Sequence, residues 1–502
     1  PANTPTPVSA SPTAPTPESA YLHPAVPDFL RGLAVGLPLT DDPTQAARLI
    51  QPAAASDAQS TWVYALVAPF PTLIDSITLT DLQALWAGDP SGPLNGLGLV
   101  MDDSTQAAMT LLLGPPASGV VRAAPADQVL STAWAAQPGL WAIVPFEALV
   151  PQWKVIALDD QSPIHKDFDL TAYPLKLGFT AQGFTLPASN RDPNKLTTLL
   201  MTGVTALVRA TAYKMEQKGL TYPAQDVGDL MRNADILHIS NEIPFAKDCP
   251  TPDPYQTRLI FCSDPRYIEL MEYIGTDVVE LTGNHFADWG TAATLMTMDM
   301  YDERGWPYYG GGRNLKDAHQ PAIMEHNGNR IGFVGCNPVG PDFAWATETR
   351  PGAAACEDLA WMRVAVGNLK AQGILPVATF QHFEYYTPEP RPNQVRDFRA
   401  MVEAGAAIVS GSQAHSPQAM EFYNGTFIHY GLGNLFFDQM HTDRDTRKEF
   451  ADRYVIYDGR VISVEIFTFM LEDYARPRFM TPGERADLLS YIWSYTNWSI
   501  LP

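Results

Sequence analysis

From residue 196 to about residue 440, short apolar runs alternate with amphipathic stretches, and each apolar run stops at polar residues. Residues 196–201 end at Thr202-Gly203, residues 234–239 at Ser240-Asn241-Glu242, and residues 278–281 lead into Gly283-Asn284-His285. Further on, residues 374–380 end at Gln381-His382-Phe383-Glu384, and residues 406–410 at Gly411-Ser-Gln-Ala-His415. Apolar runs this short read as buried strands. Residues 267–274, 291–304, 357–372 and 393–404 read as helices, the last two closed by Gly373 and Gly405. Strand and helix alternating through short connections predict a layered α/β domain. In open α/β sheets, ligands bind at the carboxyl ends of the strands.

Glu242, Asn284, His285, His382 and His415 each follow a different strand, so all five are expected on that edge. A carboxylate, an amide and imidazoles in one place suit a borderline divalent cation, Zn, Mn or Fe rather than Ca. The expectation is one divalent ion on Glu242, Asn284, His382 and His415, with catalytic roles for Glu242 and for His285 as general acid. Ser240 and Ser416 lack a nucleophile-elbow pattern, which argues against serine hydrolysis. Gly310-Gly-Gly312 reads as a flexible turn before it reads as an anion nest. The stretch Gln381-His-Phe-Glu-Tyr-Tyr386 reads either as rim packing or as an aromatic platform for sugars.

The rest of the chain divides by composition. Residues 1–20 are almost wholly Pro, Thr, Ser and Ala, a disordered spacer that cannot bury enough apolar surface to order itself. The chain opens without Met, which suggests a trimmed precursor held at the cell surface by an N-terminal lipid anchor. Residues 21–185 have the composition of a separate α/β domain, with a capped helix over 78–88. A Gly, Pro, Asn and Asp-rich linker follows, and residues 195–502 form the second domain. A formal charge of −22 argues against nucleic acid as a partner. No apolar run reaches about 18 residues, so no spanning helix is expected. The four cysteines all fall in the second domain, and pairing as Cys249–Cys262 and Cys336–Cys356 would close two loops.

Asn241-Glu242, Gly283-Asn-His285, Gln381-His-Phe-Glu-Tyr385, Gly411-Ser-Gln-Ala-His-Ser-Pro417 and Tyr430-Gly-Leu-Gly-Asn-Leu-Phe-Phe-Asp-Gln439 resemble the CapA family of capsule and poly-γ-glutamate synthesis proteins. That resemblance implies a four-layer α/β/β/α fold of the calcineurin-like metallophosphatase type and a divalent-metal site. It also implies a surface polymer or small molecule as substrate, with membrane-bound synthesis enzymes as partners. Two departures weaken the two-metal mechanism. Val204 stands where the family usually has a ligating Asp after glycine, and Gly411-Ser-Gln-Ala-His415 replaces a Gly-His-His-Pro-His pattern. Two functions follow as expectations: a secreted one-metal hydrolase or transferase, or a non-catalytic polymer-binding module with a degraded metal site. In the first domain, Leu79-Thr-Asp-Leu-Gln-Ala-Leu-Trp-Ala-Gly88, Ala142-Ile-Val-Pro145 and Tyr173-Pro-Leu175 resemble phosphate-type periplasmic substrate-binding proteins. No Ser, Thr and Gly run marks an anion site there, so a ligand-free structural module is an equal expectation.

Overall fold

The computed structural model describes residues 19–443, 445–496 and 498. The expected spacer lies outside the described residues except for its last two, and Ala20 already opens a strand, Ala20–Leu22. Three large sheets build the chain. The first has eight strands, all drawn from the stretch between Ala20–Leu22 and Lys176–Gln182. The second, also of eight strands, and the third, of six, use the chain from Leu196–Thr205 onward.

Residues 183–195 join the two parts and are fastened to both. The Asn190 amide donates to the Val63 carbonyl at 2.9 Å, and the Arg191 guanidinium donates to the carbonyls of Pro163 and His165. On the other side the Asp192 N–H donates to the Tyr457 hydroxyl at 2.9 Å. Val455, Tyr457 and Ile462 of the second sheet pack into the same apolar cluster as the first sheet.

The second and third sheets face each other, and the pleat shows why. Successive side chains on a strand point to opposite faces. Leu199 and Met201 join Val278, Phe333, Val377, Ile408 and Phe427 in the cluster between the sheets. Their neighbours Leu200 and Val279 turn outward onto helices Arg209–Lys218, Ile268–Tyr273 and Gly290–Asp302. In the third sheet Val334, Ala378, Val409 and Ile428 turn outward onto helices Ala360–Ala371 and Pro392–Ala404. The order is therefore helix, sheet, sheet, helix, with strands buried on both faces, as parallel strands under helices are.

Leu196–Thr205, Ile236–Asn241 and Val278–Glu280 run parallel in one sheet, and Asn329–Cys336, Leu375–Phe380 and Ile408–Gly411 in the other. Their carboxyl ends therefore bring the polar residues that follow them to one edge. Two glycines allow the loops there to touch. A Cβ on Gly283 would lie 2.4 Å from the Glu242 carbonyl, and one on Gly203 would lie 2.2 Å from the Gly433 carbonyl. Any side chain at either position would push the edge apart.

Both expected disulfides form, Cys249–Cys262 and Cys336–Cys356. Helix Leu79–Trp86 carries a capping box between Thr78 and Asp81, and helix Pro482–Trp493 one between Thr481 and Glu484. Gly310-Gly-Gly312 is not the expected flexible turn. Gly311–Gly312 pairs with Gly352–Ala353, and a Cβ on Gly312 would sit 2.4 Å from the Ala318 nitrogen, so close packing demands the glycines. Among the described residues no helix is long and apolar enough to cross a membrane.

Candidate functional site

Glu242 is the buried centre of the edge, 1% exposed. Two groups converge on it: the Gln381 amide, which also reaches Asn284, and the His415 imidazole. The Gln381 amide nitrogen donates to Glu242 Oε1 at 3.2 Å and to Asn284 Oδ1 at 3.3 Å. Ser412 Oγ donates to Gln381 Oε1 at 2.8 Å. Those partners fix the amide's orientation, because a flipped group would press its oxygen against two acceptor oxygens. His415 brings Nε2 to 3.7 Å from Glu242 Oε1, and its Nδ1 lies 2.8 Å from Asn434 Oδ1. A positive φ of 52° at His415 turns the loop so that the ring reaches back to the edge.

His285 stands beside this cluster rather than within it. Its Nδ1 is 2.7 Å from Asp288 Oδ2, the oxygen that also accepts the Phe261 N–H. Its ring meets Phe261 edge to face at 4.8 Å between centroids. Burial opposes a charge on this imidazole, yet the Asp288 hydrogen bond and the negative charge of Glu242 outweigh burial and raise its pKa. Arg209 supplies the second cation. Its guanidinium donates to the Asp438 carbonyl and lies over the Phe437 ring at 4.8 Å. Burial lowers its pKa, while Asp438, Glu242 and Glu384 oppose that loss.

His382 shows its hydrogen bond and ring contacts on the helix side. Its Nε2 is paired with Asp397 Oδ2 at 3.2 Å, on helix Pro392–Ala404, and its ring packs against Phe398. Alternation explains the correction. Phe380 faces the helices, Gln381 faces Glu242, and His382 returns to the helix side. Gln381, one position earlier, is the side chain that reaches Glu242, while His382 keeps a buried Nδ1 with no partner among the described residues.

The donor set does not fit the expected cation. Among the described residues no group of three or more His, Cys, Asp or Glu side chains is placed to hold a metal ion. Glu242 and His415 supply two such donors, and the hydrogen-bearing nitrogen of Gln381 sits against Glu242 and Asn284, the oxygens a cation would need. Val204, at the usual Asp position, lies in an apolar cluster with Ala206, Ile243 and Phe261. Polar capacity remains at the edge nonetheless: Thr205 Oγ1, Arg209 Nε, Asn241 Oδ1, His382 Nδ1 and Gln413 Oε1 are buried without a partner among the described residues.

Sequence reasoning missed Arg209, Asp288, Gln381 and Asn434. Gln381 was legible from strand parity, and Asp288 from its place three residues after His285. Arg209 lies four residues beyond the end of its strand, Leu196–Thr205, and no spacing marks it.

In the first domain, the helix Asp103–Leu113 is capped by the Asp102 carboxylate, which accepts from the Ser104 and Thr105 N–H groups. A side-chain anion thus occupies this helix end.

Comparison with known proteins follows this geometry. Residues 198–439 match the family model described as bacterial capsule synthesis protein PGA_cap. The chain is 27% identical over 257 residues to the capsule biosynthesis protein CapA of Bacillus anthracis, covering 50% of this chain and 62% of that one. It is 26% identical over 228 residues to the PGA biosynthesis protein CapA of Bacillus subtilis (strain 168), covering 45% and 59%. It thus spans about three-fifths of the length of these curated relatives. Among solved structures, a putative 5'-nucleotidase from Staphylococcus aureus aligns at 14% identity over 59% of this chain and 58% of that one, with a TM-score of 0.36. An ABC-type phosphate transport receptor from Vibrio cholerae aligns at 10% identity over 32% and 85%, with a TM-score of 0.27. At these scores neither adds to the topology described above. The stretch 198–439, which carries the edge site, is thus similar in sequence to the CapA family of bacterial capsule synthesis proteins.

Proposed function

We propose that this protein handles a neutral polymer during capsule assembly at the cell surface, as a binding module whose edge site works without a metal ion. One observation carries this reading: the Gln381 amide bridges Glu242 and Asn284, where a cation would otherwise be shared. Hydrogen-bond donors and acceptors around that amide suit hydroxyl and amide groups of a polymer. The charges narrow its nature. Glu242, Asp288 and Glu384 outnumber Arg209 and His285 around the site, and the chain as a whole carries −22. A polyanion is repelled by such a field, whereas a neutral, hydroxyl-rich polysaccharide is not. Anchoring through the N-terminus and contact with membrane-bound synthesis enzymes complete the proposal.

Isothermal titration with neutral capsular polysaccharide fragments and with poly-γ-glutamate, each with and without EDTA, tests it. The expected result is saturable binding of the neutral polymer, unchanged by EDTA. Binding that EDTA abolishes, or binding of poly-γ-glutamate alone, would refute it. A second reading rests on the His285–Asp288 pair, whose geometry suits general acid–base catalysis without metal. It requires turnover of the bound polymer that disappears in His285→Ala while binding persists.

A further inference from the structure

A cavity of about 400 Å³ lies between the first sheet and the second, lined by no residue of the edge site. Residues 70–76 and 154–165 form one wall, and residues 453–468 and 479–493 the other. A volume in this range suits a small-molecule site. Most of its surface is apolar, with Phe70, Val464, Phe479, Met480, Leu489 and Trp493 contributing.

Around Lys154 two cations meet at one acid. Lys154 Nζ donates to the Thr72 carbonyl and to Asp75 Oδ1, both at 2.6 Å. Arg485 reaches the same Asp75 oxygen at 3.0 Å. Two cations thus share one carboxylate, and that carboxylate is 59% exposed while the Lys154 side chain is 14% exposed. Burial pushes the Lys154 ammonium down to about 8, with Asp75 opposing the fall and Arg485 adding to it. On the opposite wall the charges are already balanced. Glu465 pairs with Arg453 at 2.7 Å and with His165 at 2.8 Å. Burial would raise Glu465, but these partners hold it at about 2. Asp160, the remaining acid, is exposed at the rim and accepts from Ser76 Oγ at 3.3 Å. One further group points the same way: the Trp493 indole N–H is buried with no acceptor among the described residues.

We infer that this cavity binds a small soluble amphiphile with an anionic head, the head on Lys154 and Arg485 and the apolar body against Phe70, Met480, Leu489 and Trp493. Such a ligand brings a second anion to the Lys154–Arg485 pair, which otherwise shares Asp75, and it covers apolar surface on both walls at once. Binding therefore fastens the first domain to the second. None of these residues belongs to the edge site, so the inference stands independently of the proposed function.

Calorimetric titration of the full chain with decanoate, decanol and decylamine tests this. Decanoate should bind saturably, one per chain, and at least about tenfold more tightly than the other two. Lys154→Met and Arg485→Met should each weaken decanoate by about tenfold or more, while Gln381→Met leaves it unchanged. Decanoate should also raise the melting temperature of the wild-type protein, a readout that requires no variant to fold. Absence of saturable binding, or equal affinity for all three probes, would overturn the inference. So would binding to phosphatidylglycerol vesicles without binding to free decanoate, which would point to a membrane surface instead.

Discussion

Replacing Gln381 with glutamate keeps the side chain's shape and exchanges its amide nitrogen for an oxygen. In the native site that nitrogen lies 3.2 Å from Glu242 Oε1, with both side chains almost fully buried. In Gln381→Glu two carboxyl groups face each other at that separation. If both ionised, repulsion at 3.2 Å would cost about 5 kcal/mol at an effective dielectric of about 20. The lost bond to a charged acceptor adds about 2 kcal/mol. Keeping a proton in the pair costs less. pH 7 lies about 2.7 units above the usual pKa of a glutamate, and at about 1.4 kcal/mol per unit the cost is about 4 kcal/mol.

The folded variant therefore takes up a proton that the unfolded chain releases. A pKa raised by folding gives stability that is present at low pH and lost as pH rises. The deficit against wild type should thus be small near pH 4.5 and grow by about 1.4 kcal/mol per unit to about 4 kcal/mol at pH 7. Zinc should reverse it, because two carboxylates and His415 then form a three-donor set. Urea unfolding followed by tryptophan fluorescence, at several pH values with and without zinc, measures both effects. A deficit independent of pH, or a wild-type protein stabilised by zinc as much as the variant, would refute the reasoning.

Asp288→Asn removes the main support for a charge on His285, so the His285 pKa should fall, which an NMR titration of its ring protons measures; no change would contradict the pairing. Replacing Cys336 and Cys356 by serine should cost about 3 kcal/mol in chemical denaturation, the chain-entropy value for a short closed loop. Under mild reductant Cys249–Cys262 should open first, since Cys336 and Cys356 are 0% and 3% exposed, and mass spectrometry of trapped thiols shows the order. Residues 196–502 expressed alone should self-associate, because Val455, Tyr457 and Ile462 lose their cover from the first domain; light scattering of a well-behaved monomer would show otherwise.

The layered fold was legible because its strands are buried on both faces and so read as continuous apolar runs, Leu199 to Met201 and Val377 to Phe380 among them. The edge was legible too, since parallel strands must end together. Counting positions after a strand places a residue near the edge but does not say which neighbour it meets: Gln381 reaches Glu242, and His382 pairs its Nε2 with Asp397. Arg209 stayed hidden for a different reason. It reaches the site from the start of a helix after a turn with φ of 49°, and nothing in the local spacing encodes that direction. The cavity between the domains joins residues more than three hundred positions apart, a pairing that only the folded chain reveals.

Metal content is the most direct test of a site organised by the Gln381 amide. The wild-type chain is incubated with excess zinc or manganese, desalted, and measured by inductively coupled plasma mass spectrometry beside Gln381→Glu. A site bridged by the amide predicts far less than one equivalent of metal in the wild type and a clear gain in the variant. One full equivalent retained by the wild type, and lost on Glu242→Gln, would contradict it.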